Sequence, residues 1–346
     1  MPIEMRVLEE AITLQHKRSP FSGVIFVREQ DEIIFAQSYG MANQAEQIPN
    51  TVHTRFGMAS GAKTFTSVAV CQLVERGLIT FGTRLKDCLA IPLPQFDPDV
   101  TLEHLLTHSA GIPDYFDEAV MDDYEALWLE HPMYAFRTPG DFLPLFANGT
   151  MKFKPGEQWA YSNAGFIMLG LVVEQLAKMP FSEYVEKHIF QACGMLSSGY
   201  FSIDRLPGGT AQGYIPVEDG NWRTNIYAIP IVGGPDGGAY TTIHDLARFW
   251  DALMGYQLLS QATVTRILTP YWRTNPADEE THYGYGIWIA QEKGEPRVYY
   301  MLGEDPGVSF FSSFYPIKQI QFSLLGNTVV AADSMLDCIA PILKAA

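Results

Sequence analysis

The chain has 346 residues, 47% of them hydrophobic and 18% charged, and its 39 Asp and Glu against 23 Lys and Arg give a net charge of −16. This apolar content supports a buried core and excludes wholesale disorder, and the 29 glycines and 22 prolines without a triplet period exclude a fibrous protein. The acid excess argues against nucleic acid or an anionic membrane surface as partner, because both are bound through basic patches. A chain of this length forms one large domain or a two-lobed unit.

The sequence gives no indication of a membrane or secretory segment. Residues 1–23 carry charges throughout and lack the apolar stretch of a secretory signal. The longest apolar run, residues 164–173, falls well short of the roughly 20 residues that span a bilayer. The cysteines form no C-x-x-C pair and no zinc-ligand cluster, so we interpret them as reduced thiols of a cytoplasmic protein without a metal site: Cys71, Cys88, Cys193 and Cys338.

In chain order, the first predicted element is a helix within residues 1–20, whose apolar stripe is Val7, Leu8, Ala11, Ile12 and Leu14. A strand, a tight polar loop and a second strand follow at 23–28 and 33–36. The middle, roughly 62–260, consists mostly of helical segments joined by Pro/Gly-rich loops. Four β-type runs come next, and a helix at 334–344 closes the chain; the runs are 283–290, 297–301, 308–315 and 320–325.

Strands at both ends with helices between them predict a two-lobed α/β (α+β) fold in which the two ends form one antiparallel sheet. We expect residues 1–346 to form a single catalytic unit. Its sheet lobe would comprise about 1–60 and 265–346, and its mainly helical lobe about 61–264. A site is expected in the cleft between the lobes.

The first motif with chemical potential is Ser60-x-x-Lys63, where a loop containing Gly57 enters a long amphipathic stretch that stops at Gly77. Residues three apart on a helix lie on one face, so the hydroxyl and the amine can meet. A serine nucleophile needs a neighbouring base, and a desolvated lysine can be neutral at pH 7. The alternative is an ordinary N-cap serine followed by a solvated lysine.

The second motif is Tyr161-Ser-Asn163, which precedes an apolar helix. In an extended segment, residues two apart point to the same side. A phenol near an amine can relay a proton, and an amide can bind a substrate carbonyl and hold the lysine. The alternative is that Asn163 caps the helix and Tyr161 packs below it.

The third motif is Met301-Leu-Gly303-Glu304, where a strand reaches a corner from which a new strand leaves. A backbone N–H at this corner could be an oxyanion donor. The alternative is a plain β-turn.

Together and in this order, the three motifs resemble those of the serine β-lactamase and penicillin-binding-protein family, and within it the class C β-lactamase-like esterase and D-peptidase branch. That branch has S-x-x-K, then Y-x-N, then K-T-G or H-x-G, and this chain has Ser60-x-x-Lys63, Tyr161-x-Asn163 and Met301-x-Gly303. The stretches 101–112 and 234–238 also resemble it, so the likeness runs from about residue 20 to the last residue.

The resemblance implies an antiparallel sheet flanked by helices with a helical lobe, and a role for each motif residue. Ser60 would be the acylated nucleophile, and Lys63 would be the base or hold a tyrosinate. Tyr161 would carry the proton to the leaving group and activate water, while Asn163 orients Lys63 and the substrate amide. The N–H groups of Ser60 and Glu304, next to Gly303, would form the oxyanion hole. No metal or organic cofactor is implied.

One departure from the family pattern concerns substrate charge. Met301 stands where the family has Lys or His, and Glu304 and Asp305 follow directly after Gly303. These carboxylates would repel an anionic substrate. We therefore expect a weak β-lactamase and D-Ala-D-Ala carboxypeptidase that takes a small-molecule or peptide-like ester or amide, neutral or with a free amine.

Two function hypotheses are compatible with the sequence. The first is a serine hydrolase with an acyl-enzyme, and the second is a non-turnover penicillin-binding or sensor protein that retains the scaffold. An α/β-hydrolase is disfavoured because no G-x-S-x-G occurs. We expect His104 and His108 to be structural, whereas one aromatic group either lines the pocket or packs the lobe: Tyr115, Phe116, Tyr124, Trp128 and Tyr134.

Overall fold

A computed structural model describes residues 3–275 and 278–345. Its strands are β1 Gly23–Glu29, β2 Glu32–Tyr39, β3 Met41–Asn43, β4 Ile48–Pro49, β5 Phe56–Gly57, β6 Tyr214–Pro216, β7 Trp222–Thr224, β8 Tyr240–Thr241, β9 Trp272–Asn275, β10 Asp278–Tyr283, β11 Trp288–Glu292, β12 Glu295–Asp305, β13 Val308–Tyr315 and β14 Ile320–Gly326. Its α-helices are α1 Met5–Arg18, α2 Lys63–Glu75, α3 Leu85–Cys88, α4 Leu102–Leu106, α5 Tyr124–Glu130, α6 Leu143–Phe146, α7 Asn163–Ala177, α8 Phe181–Val185, α9 Gln191–Cys193, α10 Ile243–Met254, α11 Gln261–Ile267 and α12 Ala332–Ala345.

The main sheet has eight antiparallel strands in the order β2-β1-β14-β13-β12-β11-β10-β9. The two ends of the chain meet where β1 pairs with β14, in a register that places Val24 opposite Leu325. The predicted antiparallel sheet built from both ends is therefore confirmed.

The two faces of the sheet bury different sets of helices, because successive strand residues point to opposite sides. Ile25 and Val27 pack with Leu8 of α1 and Ile339 of α12. Val24, Phe26 and Leu325 face the larger core, which contains the buried sides of α2, α7 and α10. This larger core fixes α2, and thus the first motif, against the sheet.

The predicted strand at 283–290 is wrong as a single element. β10 ends at Tyr283 and β11 begins at Trp288, with a turn between them. Gly286 in this turn has φ +65°, and a Cβ there would lie 2.1 Å from Ser67 Oγ. Its carbonyl oxygen accepts a hydrogen bond from Thr64 Oγ1 at 2.6 Å, so the turn between β10 and β11 contacts α2.

The middle of the chain is more mixed than its helical periodicity indicates. Besides the helices it holds the two-stranded pair β6–β7, and β8, which pairs with β5. The lobe boundaries at about 60 and 265 stay a prediction. Over the described residues, no individual helix has the length and apolarity to cross a membrane; α7 together with Phe181–Cys193 has them, as a pair bent by 75°.

Candidate active site

Ser60 lies in a 3₁₀ turn, Ala59–Ala62, that leads directly into α2. The turn is tight: Ala59 has φ +42°, and the Gly61 N–H donates to the Met58 carbonyl at 2.9 Å. Gly303 of β12 packs against it, since a Cβ at Gly303 would lie 2.8 Å from the Ser60 backbone nitrogen. The first and third sequence motifs are therefore brought into contact.

Lys63 begins α2 and is only 1% exposed. Its Nζ lies 3.0 Å from Ser60 Oγ, 2.7 Å from Asn163 Oδ1 and 2.5 Å from the Asp236 carbonyl oxygen. Burial lowers the pKa of Lys63, against the opposing effect of nearby carboxylates such as that of Asp236. A neutral amine here can donate to both carbonyl oxygens and accept the Ser60 hydroxyl proton on its lone pair.

Tyr161 completes the group: its ring centroid is 4.9 Å from Lys63 Nζ, and its oxygen is within hydrogen-bonding reach of Ser60. Burial, with Glu118 adding to it, raises the pKa of Tyr161 well above its ordinary value. The phenol is therefore protonated at neutral pH and can act as a proton carrier.

His108 packs against Tyr161 and hydrogen-bonds the backbone of the second motif. Its ring centroid is 4.3 Å from that of Tyr161, and its Nδ1 accepts a hydrogen bond from the Ser162 backbone N–H at 3.0 Å. Burial lowers the pKa of His108 well below its ordinary value, with Lys63 lowering it further. The ring is neutral, which agrees with the structural role expected from the sequence.

Asn163 is the first residue of α7, and Ser162, not Asn163, is the N-cap: Ser162 Oγ accepts from the Gly165 N–H at 3.1 Å. This leaves the Asn163 side chain free for the site, where its Oδ1 accepts from Lys63 and its Nδ2 donates to Glu118 Oε1 at 3.3 Å.

Sequence reasoning missed Asp114, whose carboxylate accepts hydrogen bonds from the Asn163 and Ala164 N–H groups at 2.7 and 3.0 Å. Burial raises the pKa of Asp114 to about 6. The only local signal was its position two residues after the 101–112 stretch.

Asp236 was also missed as an individual residue, although it lies within the stretch 234–238. Its backbone carbonyl accepts a hydrogen bond from Lys63 Nζ, and its carboxylate accepts one from the Tyr115 hydroxyl. The Asp236 backbone and the Asn163 side chain therefore both accept hydrogen bonds from the same amine.

Met301 does not occupy the place expected for it. It is 1% exposed and packs in the larger core, so it does not line the substrate cavity. The four residues after it do line that cavity: Leu302, Gly303, Glu304 and Asp305. The Met301 side chain is therefore buried in the core, while Glu304 and Asp305, which follow it, line the cavity.

A cavity of about 1050 Å³ opens on Ser60, Tyr161 and Asn163. Nine of its lining residues are Asp or Glu, and none of the lining residues in the described chain is Lys or Arg. Five of the acids belong to segment 117–125, and the others are Asp236, Glu304, Asp305 and Asp333.

The aromatic group divides between pocket and core. Tyr115, Phe116 and Tyr124 line the cavity, Trp128 is buried beside Phe136, and Tyr134 is 62% exposed. Among the described residues, no group of three or more His, Cys, Asp or Glu is arranged to hold a metal ion.

Comparison with known proteins agrees with this geometry. A family model described as Beta-lactamase matches residues 12–346. Penicillin-binding protein 4* of Bacillus subtilis (strain 168) is 28% identical over 322 residues, which cover 88% of this chain and 67% of that protein. Esterase EstB of Burkholderia gladioli is 28% identical over 193 residues, covering 54% and 49%. The crystal structure of a penicillin binding protein from Bacillus halodurans has a TM-score of 0.91 and 46% identity, covering 96% of this chain and 99% of that one.

The fold and the relatives define the class of this protein: it is a serine hydrolase of the β-lactamase and penicillin-binding type. The chain belongs to the beta-lactamase family, because the family model matches nearly its whole length. The family predicted from the three motifs is thereby confirmed, while the role of each site residue stays a prediction.

Proposed function

We propose that this protein hydrolyses ester or amide bonds through an acyl-enzyme on Ser60, with Lys63 as the resting base. The observation that carries the proposal is the position of Lys63 Nζ, which lies 3.0 Å from Ser60 Oγ and also hydrogen-bonds two carbonyl oxygens, those of the Asn163 side chain and the Asp236 backbone. In a neutral lysine held in this way, the lone pair of Nζ is available to accept the proton of the serine hydroxyl.

In acylation, Ser60 Oγ attacks the substrate carbonyl carbon while its proton passes to Lys63. The backbone N–H groups of Ser60 and Glu304 receive the developing oxyanion. The Tyr161 phenol then gives its proton to the leaving oxygen or nitrogen, and Lys63 returns the Ser60 proton to the phenol. An acyl–oxygen bond forms, the scissile bond breaks, and the leaving group departs protonated.

In deacylation, a water molecule attacks the acyl carbon and its proton passes through Tyr161 and Lys63. Ser60 takes this proton back when the tetrahedral intermediate collapses to the free acid. The same two groups therefore serve both half-reactions, first as acid and then as base.

Charge around the site favours neutral substrates over anionic ones. The nine lining carboxylates raise the cost of bringing a carboxylate-bearing β-lactam to Ser60. Weak β-lactamase activity and slow β-lactam acylation follow, whereas a small neutral ester meets no such repulsion.

The test compares wild type, Ser60→Ala and the control Ser38→Ala, a partly exposed serine on β2, with p-nitrophenyl esters and a fluorophosphonate probe. We expect turnover and labelling in wild type and the control, and neither in Ser60→Ala. Labelling without turnover of any ester or amide supports the non-turnover alternative. Turnover retained in Ser60→Ala overturns the proposal.

A further inference from the structure

Asp236 lies on a tight turn that is hydrogen-bonded directly to α2. The turn, residues 234–237, is closed by two backbone hydrogen bonds between its end residues, at 2.7 and 3.2 Å. From α2, Thr66 Oγ1 donates to the Pro235 carbonyl oxygen at 2.6 Å. Three residues earlier on the same helix, Lys63 Nζ donates to the Asp236 carbonyl oxygen at 2.5 Å. The position of the Lys63 amine therefore depends on the conformation of this turn.

The side chain of Asp236 is held by a phenol from a different loop. Its carboxylate accepts a hydrogen bond from the Tyr115 hydroxyl, and the Tyr124 hydroxyl lies within hydrogen-bonding reach of Tyr115. Asp236 is 8% exposed and Tyr115 is 5% exposed. A donor bound to a buried carboxylate fixes its orientation and stabilises its charged form. Asp236 thus hydrogen-bonds Lys63 through its backbone and Tyr115 through its side chain.

Two opposing effects act on the Lys63 amine. Burial lowers the pKa of Lys63 because an enclosed site disfavours the ammonium, whereas nearby carboxylates raise it, and Asp236 does so most strongly. The other charged and titratable groups that face the amine are Glu118, Asp114, Asp305, Tyr161 and His108. Without the charge on Asp236, the amine would lose its proton at lower pH.

The Asp236 carboxylate has its own ionisable neighbours. They are Lys63, Asp305 and the phenols of Tyr115, Tyr124, Tyr161 and Tyr200. Burial raises the pKa of all four phenols, so they carry no charge at neutral pH. Lys63 is the basic group of this set, and it lowers the pKa of Asp236. The amine and the carboxylate therefore titrate as a coupled pair, in which each charged form favours the other.

Two other acids near Lys63 bind a different part of the site. Asp114 accepts hydrogen bonds from the N–H groups that begin α7, at 2.7 and 3.0 Å, and Glu118 accepts one from Asn163 Nδ2 at 3.3 Å. Both therefore support Asn163 and the start of α7. Asp236 instead combines a charge that acts on the amine with the backbone oxygen that binds it.

We infer that Asp236 is a positioning residue for Lys63: its backbone carbonyl orients the amine, and its carboxylate, held by Tyr115, sets the pH range in which the amine can take the Ser60 proton. This inference rests on the proposed function and adds to it the control of the base.

The first experiment measures the fluorophosphonate labelling rate in wild type and Asp236→Asn from pH about 5 to about 10, the range in which a buried lysine titrates. Asparagine is isosteric, and its amide oxygen can still accept from Tyr115. The midpoint of the pH profile should fall by about one unit in the variant, because a nearby opposite charge shifts a pKa by that order. The control is Glu130→Gln, an exposed acid on α5 outside the cavity, and it should keep the wild-type midpoint.

A second variant, Tyr115→Phe, keeps the carboxylate and removes its donor. A buried carboxylate without this donor binds a proton more readily, so the midpoint should move in the same direction as in Asp236→Asn, by less. In the Asp236→Asn background the phenol change should leave the midpoint where it is, because no carboxylate remains for the hydroxyl to stabilise. Thermal unfolding of each variant is recorded beside the profiles, and Tyr115→Phe decides the test if Asp236→Asn does not fold.

A merely structural role for Asp236 gives a different result, in which the labelling rate is lowered at every pH and the midpoint stays in place. That result overturns the inference, and so does a midpoint that rises in Asp236→Asn. A shift in Tyr115→Phe that is equally large without the Asp236 carboxylate, or no shift in it at all, overturns it as well. In each case labelling that still requires Ser60 leaves the hydrolase proposal standing, whereas turnover in Ser60→Ala removes the proposed function itself.

Discussion

Lys63 has three hydrogen-bond partners at one buried atom, and their chemistry fixes what this residue can do. Two are carbonyl oxygens, of Asn163 and Asp236, which can only accept, and the third is the Ser60 hydroxyl, which can donate. Because burial lowers its pKa, the amine becomes available as a base at lower pH than an exposed lysine would.

The pH dependence of acylation follows from this. The fluorophosphonate labelling rate should rise with pH as Lys63 loses its proton, with its midpoint below the ordinary lysine pKa. Lys63→Met should slow labelling by about 10²–10⁴-fold, the usual contribution of a general base. A midpoint at the ordinary lysine value, or full labelling in Lys63→Met, would contradict this assignment.

The ionisation of Asp305 makes the stability of the fold depend on pH. Burial raises the pKa of Asp305 to about 7. Among the charged groups that face it, Lys63 lowers this pKa, whereas Asp236, Glu118 and Glu304 raise it. The phenols of Tyr124 and Tyr240 also face Asp305. Between pH ~4 and ~7 the folded state holds a proton that the unfolded state has lost. Stability therefore falls as pH rises through this window.

Asp305→Asn should thus be more stable than wild type at pH 8, by on the order of 2 kcal/mol, and equal to it near pH 4. Urea denaturation at both values, with Glu130→Gln as the control, measures the difference. A gain of equal size at both values would show that ionisation of Asp305 is not its cause.

At the scale of elements, the site depends on how closely β12 approaches the turn before α2. A Cβ at Gly303 would lie 2.2 Å from the Met58 carbonyl oxygen and 2.8 Å from the Ser60 nitrogen. Neither backbone atom can rotate away, so a side chain at this position would move the strand or the nucleophile turn.

Gly303→Ala should therefore lower the labelling rate by about 10²-fold or more, the usual effect of disturbing an oxyanion site. The matched control is Gly82→Ala, where an added Cβ meets nothing within 4 Å. Labelling rates and thermal unfolding should be recorded for both variants. Wild-type labelling in Gly303→Ala would refute the close approach as a requirement.

For the whole molecule, the distribution of charge matters more than its total. The net charge of −16 is spread over the chain, but nine carboxylates line one cavity without a basic side chain among the described lining residues. A low-dielectric cleft focuses the electric field of such charges on a ligand bound inside it.

Acylation by an anionic β-lactam such as nitrocefin should consequently be slow and should become faster as salt rises. The rate of acylation by a neutral ester should stay nearly constant over the same salt range. Stopped-flow rates at about 50 and about 500 mM salt test this, because the screening length falls severalfold over that range. Fast, salt-independent nitrocefin turnover would contradict it.

Features that depend on local spacing could be predicted from the order of the residues alone. Ser60 and Lys63 meet because they are three residues apart at the start of a helix, and the terminal strands and helices follow from their apolar periodicity. Tyr161 and Asn163 were identifiable because the order of three motifs carried the family resemblance.

The partners that surround those residues come from contacts between distant parts of the chain, which local patterns do not reveal. Asp114, Asp236 and Glu118 reach the site from distant loops, where no periodicity marks a carboxylate as facing a lysine. Met301 is buried in the core because the pleat of β12 turns its side chain toward the packed interior. The 283–290 run is broken by a turn because Gly286 packs closely against α2. Spacing fixes contacts within an element, whereas contacts between elements depend on a close-packed interior that forms only when the whole chain folds.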